Sequence, residues 1–172
     1  MKVGILSFQG SFLDHSKSIS EIGFNPLLIK QSKDLDFIDA LILPGGESTA
    51  MKKINEFSGL LSKLDQIIKD GIPTLTTCAG TILLAKEVIG GEETIPNIDI
   101  EVTRNAYGRQ TESFEGNVKF FENEDIYCFI RAPKISKILS DEVDIIAEHN
   151  DEIVGAAQKN VVALTFHPEL NN

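Results

Sequence analysis

The stretch Pro73-Thr74-Leu75-Thr76-Thr77-Cys78-Ala79-Gly80, running on into Ile82-Leu83-Leu84-Ala85, decides how this chain is read. A short β-prone segment, a turn of small residues around one cysteine and an Ala/Leu-rich helix start describe a strand-to-helix elbow. That geometry lifts a nucleophile above a parallel sheet. Cys78 falls at the helix N-terminus, where unpaired backbone N–H groups and the macrodipole favour a negative charge and therefore a thiolate. From this stretch alone a buried structural cysteine is an equal alternative, because free cysteine is among the most buried residue types.

The sequence before the elbow alternates strands and helices. Val3 to Phe8 reads as a buried parallel strand ending at Gln9-Gly10, and Ser11 as the N-cap of a helix carrying Phe12, Ile19 and Ile22 up to Gly23. His15 on that helix reads as a partly exposed histidine. Asn25 to Ile29 and Ala40 to Leu43 are further strands, the latter running into Pro44-Gly45-Gly46-Glu47-Ser48-Thr49. Paired glycines there let peptide N–H groups face a cleft. A phosphate loop would need Gly-Lys-Ser/Thr, and the carboxylate of Glu47 opposes phosphate, so the competing use is an oxyanion hole. A helix from Leu60 to Asp70 and a strand from Ile72 to Leu75 complete an α/β pattern, with candidate loops at the carboxyl ends of strands.

Beyond Gly90-Gly91 the pattern changes to short strands: Ile98 to Thr103, Phe114 to Phe120, Ile126 to Ile130, Val143 to Glu148, Ile153 to Gln158 and Val161 to Thr165. No linker or repeat separates them from the first half, so residues 1–172 are expected to form a single domain. Cys128 lies in the apolar run Ile126 to Ile130 and reads as a packed, inert thiol. Near the end, His167-Pro168-Glu169 places an imidazole and a carboxylate two residues apart, on one side of an extended segment. A carboxylate beside a histidine orients a general base and stabilises its imidazolium.

Composition bounds the rest. A chain of 172 residues buries roughly 70% of its unfolded surface, enough for a core without staples. The net charge of −10, from 26 acidic and 16 basic residues, argues against binding a nucleic-acid backbone. Two cysteines far apart in sequence suggest a reducing, cytoplasmic setting; Met1 to Leu6 reads as a strand rather than a signal peptide, and no apolar run reaches membrane-spanning length. His15, His149 and His167 show no metal-ligand spacing with the cysteines, and no metal or cofactor is expected.

Gln9-Gly10, Leu43 to Thr49, Thr77-Cys78-Ala79-Gly80, Arg104-Asn105-Ala106-Tyr107-Gly108-Arg109-Gln110, Phe129-Ile130-Arg131-Ala132-Pro133 and His167 to Leu170 together resemble the glutaminase subunit of pyridoxal 5'-phosphate synthase. That family belongs to the class I (triad) glutamine amidotransferases. The resemblance implies a flavodoxin-like three-layer fold with a mainly parallel central sheet and extra antiparallel strands. It implies hydrolysis of L-glutamine to glutamate and ammonia, with Cys78 as nucleophile, His167 as proton relay and Glu169 as its orienter. Gly46, Glu47, Ser48, Arg104, Ile130 and Arg131 would bind glutamine, and the amides of Gly45, Gly46 and Ala79 would form the oxyanion hole. Two of the three arginines in the chain fall at substrate positions, in keeping with the preference of a carboxylate for a guanidinium fork. The implied partner is a synthase subunit in a hetero-oligomer that receives the ammonia, with the glutaminase nearly idle until docked.

The sequence departs from the family pattern in two places. Thr76 stands where the family usually has glycine, and its β-branched side chain is expected to alter the elbow or slow the reaction. Family members also commonly continue past His-Pro-Glu-Leu into a closing helix. A cysteine hydrolase or chaperone of the DJ-1 type and a catalytically silent regulatory subunit are the competing readings.

Overall fold

The computed structural model describes residues 1–8, 10–46, 59–90, 94–104, 106 and 113–171. Its frame is a nine-stranded mixed sheet in the order β2-β1-β3-β4-β12-β11-β10-β7-β8. The parallel half comprises β1 (Lys2–Leu6), β2 (Asn25–Ile29), β3 (Ala40–Leu43), β4 (Thr74–Thr77) and β12 (Val161–Leu164). These strands are short, and all but the threonine-rich β4 are mainly apolar, as expected where both faces are covered.

Alternation along them sorts the two faces. Val3, Ile5 and Ile42 pack with Phe12 and Ile19 of α1 (Phe12–Glu21). Leu6, Leu41 and Leu43 point the other way, against Leu60, Leu64 and Ile68 of α2 (Leu60–Lys69). These are the residues that recur at helical spacing, so the apolar stripe of α2 is what docks it. A three-stranded sheet of β5 (Ala85–Ile89), β6 (Ile98–Thr103) and β9 (Lys134–Ile138) joins that second layer through Ile98, Ile100, Val102 and Ile135. The result is the three-layer α/β fold expected from the sequence.

The antiparallel half consists of β7 (Ser113–Phe120), β8 (Asn123–Ile130), β10 (Asp144–His149) and β11 (Glu152–Gln158), the last pairing with β12. Its far edge returns to its start: Cys128 on β8 forms an antiparallel bridge with His167, three residues past β12. Inside the curl, Phe129 and Phe166 are almost fully buried, Phe114 stacks on Phe129 at 4.6 Å and Tyr127 tilts against Phe166 at 4.7 Å. Large aromatic area concentrated here fixes the path of the chain into His167.

Three local expectations are corrected. The apolar run after Cys78 stops being helical at Leu84: α3 covers only Ala79–Leu84, and Ala85, expected in the helix with Ile82 to Leu84, turns to extended backbone and opens β5. Strand β9 was not anticipated. Residues 168–170 form a 3₁₀ turn with Pro168 at its first position rather than an extended segment.

Candidate active site

Four neighbouring strands deliver the candidate residues to one edge of the sheet. Cys78 follows β4, Gly45 and Gly46 follow β3, His167 follows β12, and α1 follows β1. All are carboxyl ends of parallel strands, where α/β sheets hold their ligands.

Cys78 has φ 47° and ψ −106°, a conformation costly for any side-chain-bearing residue, of order 1–3 kcal/mol. Its surroundings impose it. The Cys78 amide donates to the Leu164 carbonyl at 2.9 Å, and the Thr81 amide donates back to the Cys78 carbonyl at 3.1 Å. Gly80 closes against β3 so tightly that a Cβ there would stand 2.1 Å from the Leu43 oxygen. Thr76, the unusual residue in the elbow, is fully buried on β4 and shares a 2.8 Å hydrogen bond with the Thr81 hydroxyl, which donates in turn to Leu164 O at 2.6 Å. The elbow therefore accepts the β-branched residue.

Gly45 is the meeting point. A Cβ built on it would lie 3.1 Å from Cys78 Cβ, 2.6 Å from His167 Cε1 and 3.5 Å from His167 Nε2. The Cys78 Cβ and the imidazole edge thus border one small gap, which only a glycine leaves open. Cys78 Sγ itself is 3.6 Å from the Ile130 carbonyl.

His167 Nδ1 donates to Glu169 Oε1 at 2.7 Å, and its backbone amide donates to Cys128 O at 2.9 Å. Nε2 is buried and makes no hydrogen bond of normal geometry among the described residues. Burial pushes the His167 pKa down, but the adjacent Cys78 sulfur and the Glu169 carboxylate outweigh it and lift it to about 9. For Glu169 burial acts upward, yet the His167 N–H bond and the neighbouring imidazoles hold it below the usual carboxylate range. The carboxylate is thus ionised and acceptor-only toward His167.

The remaining sequence-derived positions divide three ways. Ala79, buried, is the first residue of α3, so its amide has no intrahelical acceptor, and Gly46 is exposed beside the gap. The Gly45 amide, expected as a donor to the substrate, instead donates to Thr77 Oγ1 at 3.0 Å, while its carbonyl abuts Gly10, where a Cβ would fall 1.7 Å from the oxygen. Ile130 sits against the sulfur, the exposed Arg131 follows it with φ 46°, and Arg104 is half-buried just beyond β6. Glu47, Ser48 and Arg109 lie outside the described residues. Cys128 is half-buried, and burial followed by the nearby Glu115 pushes its thiol up.

His15 was misjudged. It is 2% exposed, with Nε2 3.2 Å from Thr77 Oγ1 and 3.4 Å from Glu169 Oε1. The signal was available, since positions 12, 15 and 19 share one face of a helix. Thr77 was passed over too, as one more β-prone residue.

A cysteine on a strained strand-to-helix elbow, facing a histidine oriented by a carboxylate at the top of a three-layer mixed sheet, is the arrangement of a class I glutamine amidotransferase. A solved structure described as a glutamine amidotransferase superposes with a TM-score of 0.91 at 35% identity, covering 98% of this chain and 91% of that one. The model of the SNO glutamine amidotransferase family matches residues 5–172, and the chain belongs to that family. Among curated relatives, the pyridoxal 5'-phosphate synthase subunit PdxT of Clostridium beijerinckii is 47% identical over 176 residues, covering all of this chain and 92% of that protein. The subunit of the same name from Methanocaldococcus jannaschii is 45% identical over 172 residues, covering 99% and 91%. Family membership sets aside the DJ-1-type alternative.

Proposed function

We infer that this chain hydrolyses L-glutamine to glutamate and ammonia and serves as the glutaminase subunit of a pyridoxal 5'-phosphate synthase, passing ammonia to a synthase partner. The observation that carries the reading is the gap at Gly45, which Cys78 and His167 both border while Glu169 holds the other nitrogen of the imidazole.

The chemistry follows from that arrangement. Cys78 Sγ attacks the side-chain amide carbon of glutamine, forming a C–S bond and placing negative charge on the amide oxygen. Backbone donors at Ala79 and Gly46 stabilise that charge. With a pKa near 9, His167 is protonated at neutral pH and holds the proton that the departing nitrogen needs. Collapse of the intermediate breaks the C–N bond, releases ammonia and leaves a thioester. Water then adds to the thioester, losing a proton to His167, and expulsion of the sulfur yields glutamate. Arg104 and Arg131 are the proposed guanidinium partners of the glutamine carboxylate, with Glu47, Ser48 and Ile130 completing the pocket.

The Gly45 amide bonded to Thr77 supports an enzyme that idles alone, since one expected donor is turned away from the gap. Both cysteines are free thiols and the mechanism needs Cys78 reduced, which favours the cytoplasm. No described helix is long and apolar enough to cross a membrane.

The test is ammonia release from glutamine with and without the cognate synthase subunit, for the native chain and for Cys78→Ala. Strong release only from the native chain with its partner is expected. Equal rates for the native chain and Cys78→Ala in the complex would return the chain to the silent-subunit reading.

A further inference from the structure

The mechanism above uses one buried histidine and leaves a second unexplained. His15 is as inaccessible as any core residue, yet a core imidazole brings a polar ring into an apolar setting at a cost unless its polar atoms are satisfied. Its Nε2 lies between two acceptors that both belong to the site: Thr77 Oγ1 at 3.2 Å and Glu169 Oε1 at 3.4 Å.

We propose that His15 is a positioning residue for the glutaminase reaction, fixing the Glu169 carboxylate and the Thr77 hydroxyl together and so locking the base to the paired-glycine turn. This rests on the glutaminase reading of the same site. The Glu169 side chain ends in an sp³–sp² torsion, which is broad and roughly two-fold, so the carboxylate does not choose its orientation unaided. Oε1 accepts from His167 Nδ1, while Oε2 makes no hydrogen bond of normal geometry among the described residues, the buried Ser11 hydroxyl only helping to hold Glu169 below the usual carboxylate range. His15 Nε2, 3.4 Å from Oε1, is therefore the second ring nitrogen beside the carboxylate and biases it toward the rotamer serving His167. A carboxylate can only accept, which assigns the proton to Nε2 of His15. Burial lowers the His15 pKa, opposed by Glu169, and this favours the neutral ring that the arrangement needs.

The other end of the link is Thr77. Its hydroxyl oxygen takes the Gly45 amide at 3.0 Å and meets His15 on its other side, and Thr77 directly precedes the nucleophile. One imidazole thus joins the orienter of the base to the residue that anchors the Gly45 turn. Helix α1 adds a third tie, from Ser18 Oγ to the Glu169 carbonyl at 3.4 Å.

The test measures glutamine turnover in the complex with the cognate synthase, with rates normalised to folded protein by circular dichroism. His15→Leu keeps the bulk but removes the N–H. It is expected to lower kcat about 10²-fold, the scale of a 1 Å misplacement of a catalytic group, with KM for glutamine unchanged within about two-fold. Glutamine at position 15 reaches as far as Nε2 of the native ring and asparagine does not. His15→Gln should therefore recover to within about five-fold of native while His15→Asn stays with His15→Leu. Thr77→Val should produce a similar kcat defect, Thr77→Ser should not, and the double variant His15→Leu/Thr77→Val should fall no more than about three-fold below the worse single variant. Equal rates for the Gln and Asn variants, or multiplicative defects in the double variant, would overturn the proposal and leave His15 a packing residue. If the native complex itself releases no ammonia, the glutaminase reading fails instead. If His15→Leu does not fold, the Gln/Asn comparison decides.

Discussion

Gly45→Ala puts a single methyl group into the gap between Cys78, the proposed nucleophile, and His167, the proposed base. Gly45 does not occupy the left-handed region, so alanine meets no backbone penalty there, and its hydrogen bond to Thr77 uses the amide that alanine also has. The added Cβ would stand 2.6 Å from His167 Cε1 against the ~3.5–4.0 Å of an ordinary carbon–carbon contact, so the ring must retreat by about 1 Å. Retreat is opposed on the far side by the 2.7 Å bond to Glu169, which makes the imidazole swing rather than slide. A 1 Å misplacement of a catalytic group costs about 10²-fold in rate. Overpacking of this kind costs about 1–3 kcal/mol, or roughly 2–12 °C in Tm for a chain of this size. The assay pairs ammonia release in the synthase complex with thermal unfolding and with the rate of Cys78 alkylation by an electrophilic glutamine analogue. Turnover and alkylation should fall together in a variant that remains folded at 25 °C. A folded Gly45→Ala protein with native turnover would refute the argument that the reaction passes through this gap.

Other perturbations probe the supports of the site. Gly10 has φ 82° and faces the Gly45 carbonyl, so Gly10→Ala combines backbone strain with a 1.7 Å clash and should lower both Tm and turnover; native values for both would contradict the packing described. Thr81→Val strands the buried Thr76 hydroxyl and should cost about 1–3 kcal/mol in urea unfolding, whereas Thr76→Val/Thr81→Val removes both partners and should cost no more than the single change. Stability should peak near pH 6.5 within the range set by the two site histidines. The raised pKa of His167 contributes stability that is complete below about 6.5 and lost as pH climbs through 9, and the lowered pKa of His15 contributes stability present above 6.5 and lost as pH falls. In urea titrations across pH, His167→Asn should flatten the alkaline side and His15→Leu the acid side, and unchanged slopes would contradict the assigned shifts.

The parallel half was legible because burial on both faces leaves no ambiguity: Ala40 to Leu43 and Val161 to Leu164 are apolar runs, and α2 carries its stripe at regular helical spacing. The elbow, the paired glycines and the His-Glu pair were legible because each needs unusual residues in a fixed order. Strand β9 was hidden by its own geometry. A register shift falls between its pairs with Glu101 and Val102, so its inward residues Ile135 and Ile138 are three apart rather than two or four, and no strand periodicity survives. β5 was hidden by the absence of any Gly or Pro from Thr81 to Ile89. What ends α3 there is pairing of Ala85 with Ile98, a partner that local propensity does not reveal. The helix face of His15 signalled its burial but not its partners: Thr77 and Glu169 are 62 and 154 positions away, and only the third dimension makes them neighbours.

The same strand that delivers His167, the proposed base, also holds Cys78, the proposed nucleophile. Leu164, the last residue of β12, offers one carbonyl oxygen with two lone pairs, and the Cys78 amide and the Thr81 hydroxyl take both. The two donors lie on either side of the strained residue, so the carbonyl clamps the elbow before and after its sharp turn. Three residues later the chain reaches His167, its backbone held to β8 by the Cys128 carbonyl. The distance from sulfur to imidazole is thereby set by one short run of extended chain rather than by the sum of two independent loops. Thr76 fits this design: it lies in β4 between Leu43 and Ala163, where a β-branched residue is at ease, and its hydroxyl braces the Thr81 end of the clamp. The strain of the elbow is left on Cys78, the proposed nucleophile.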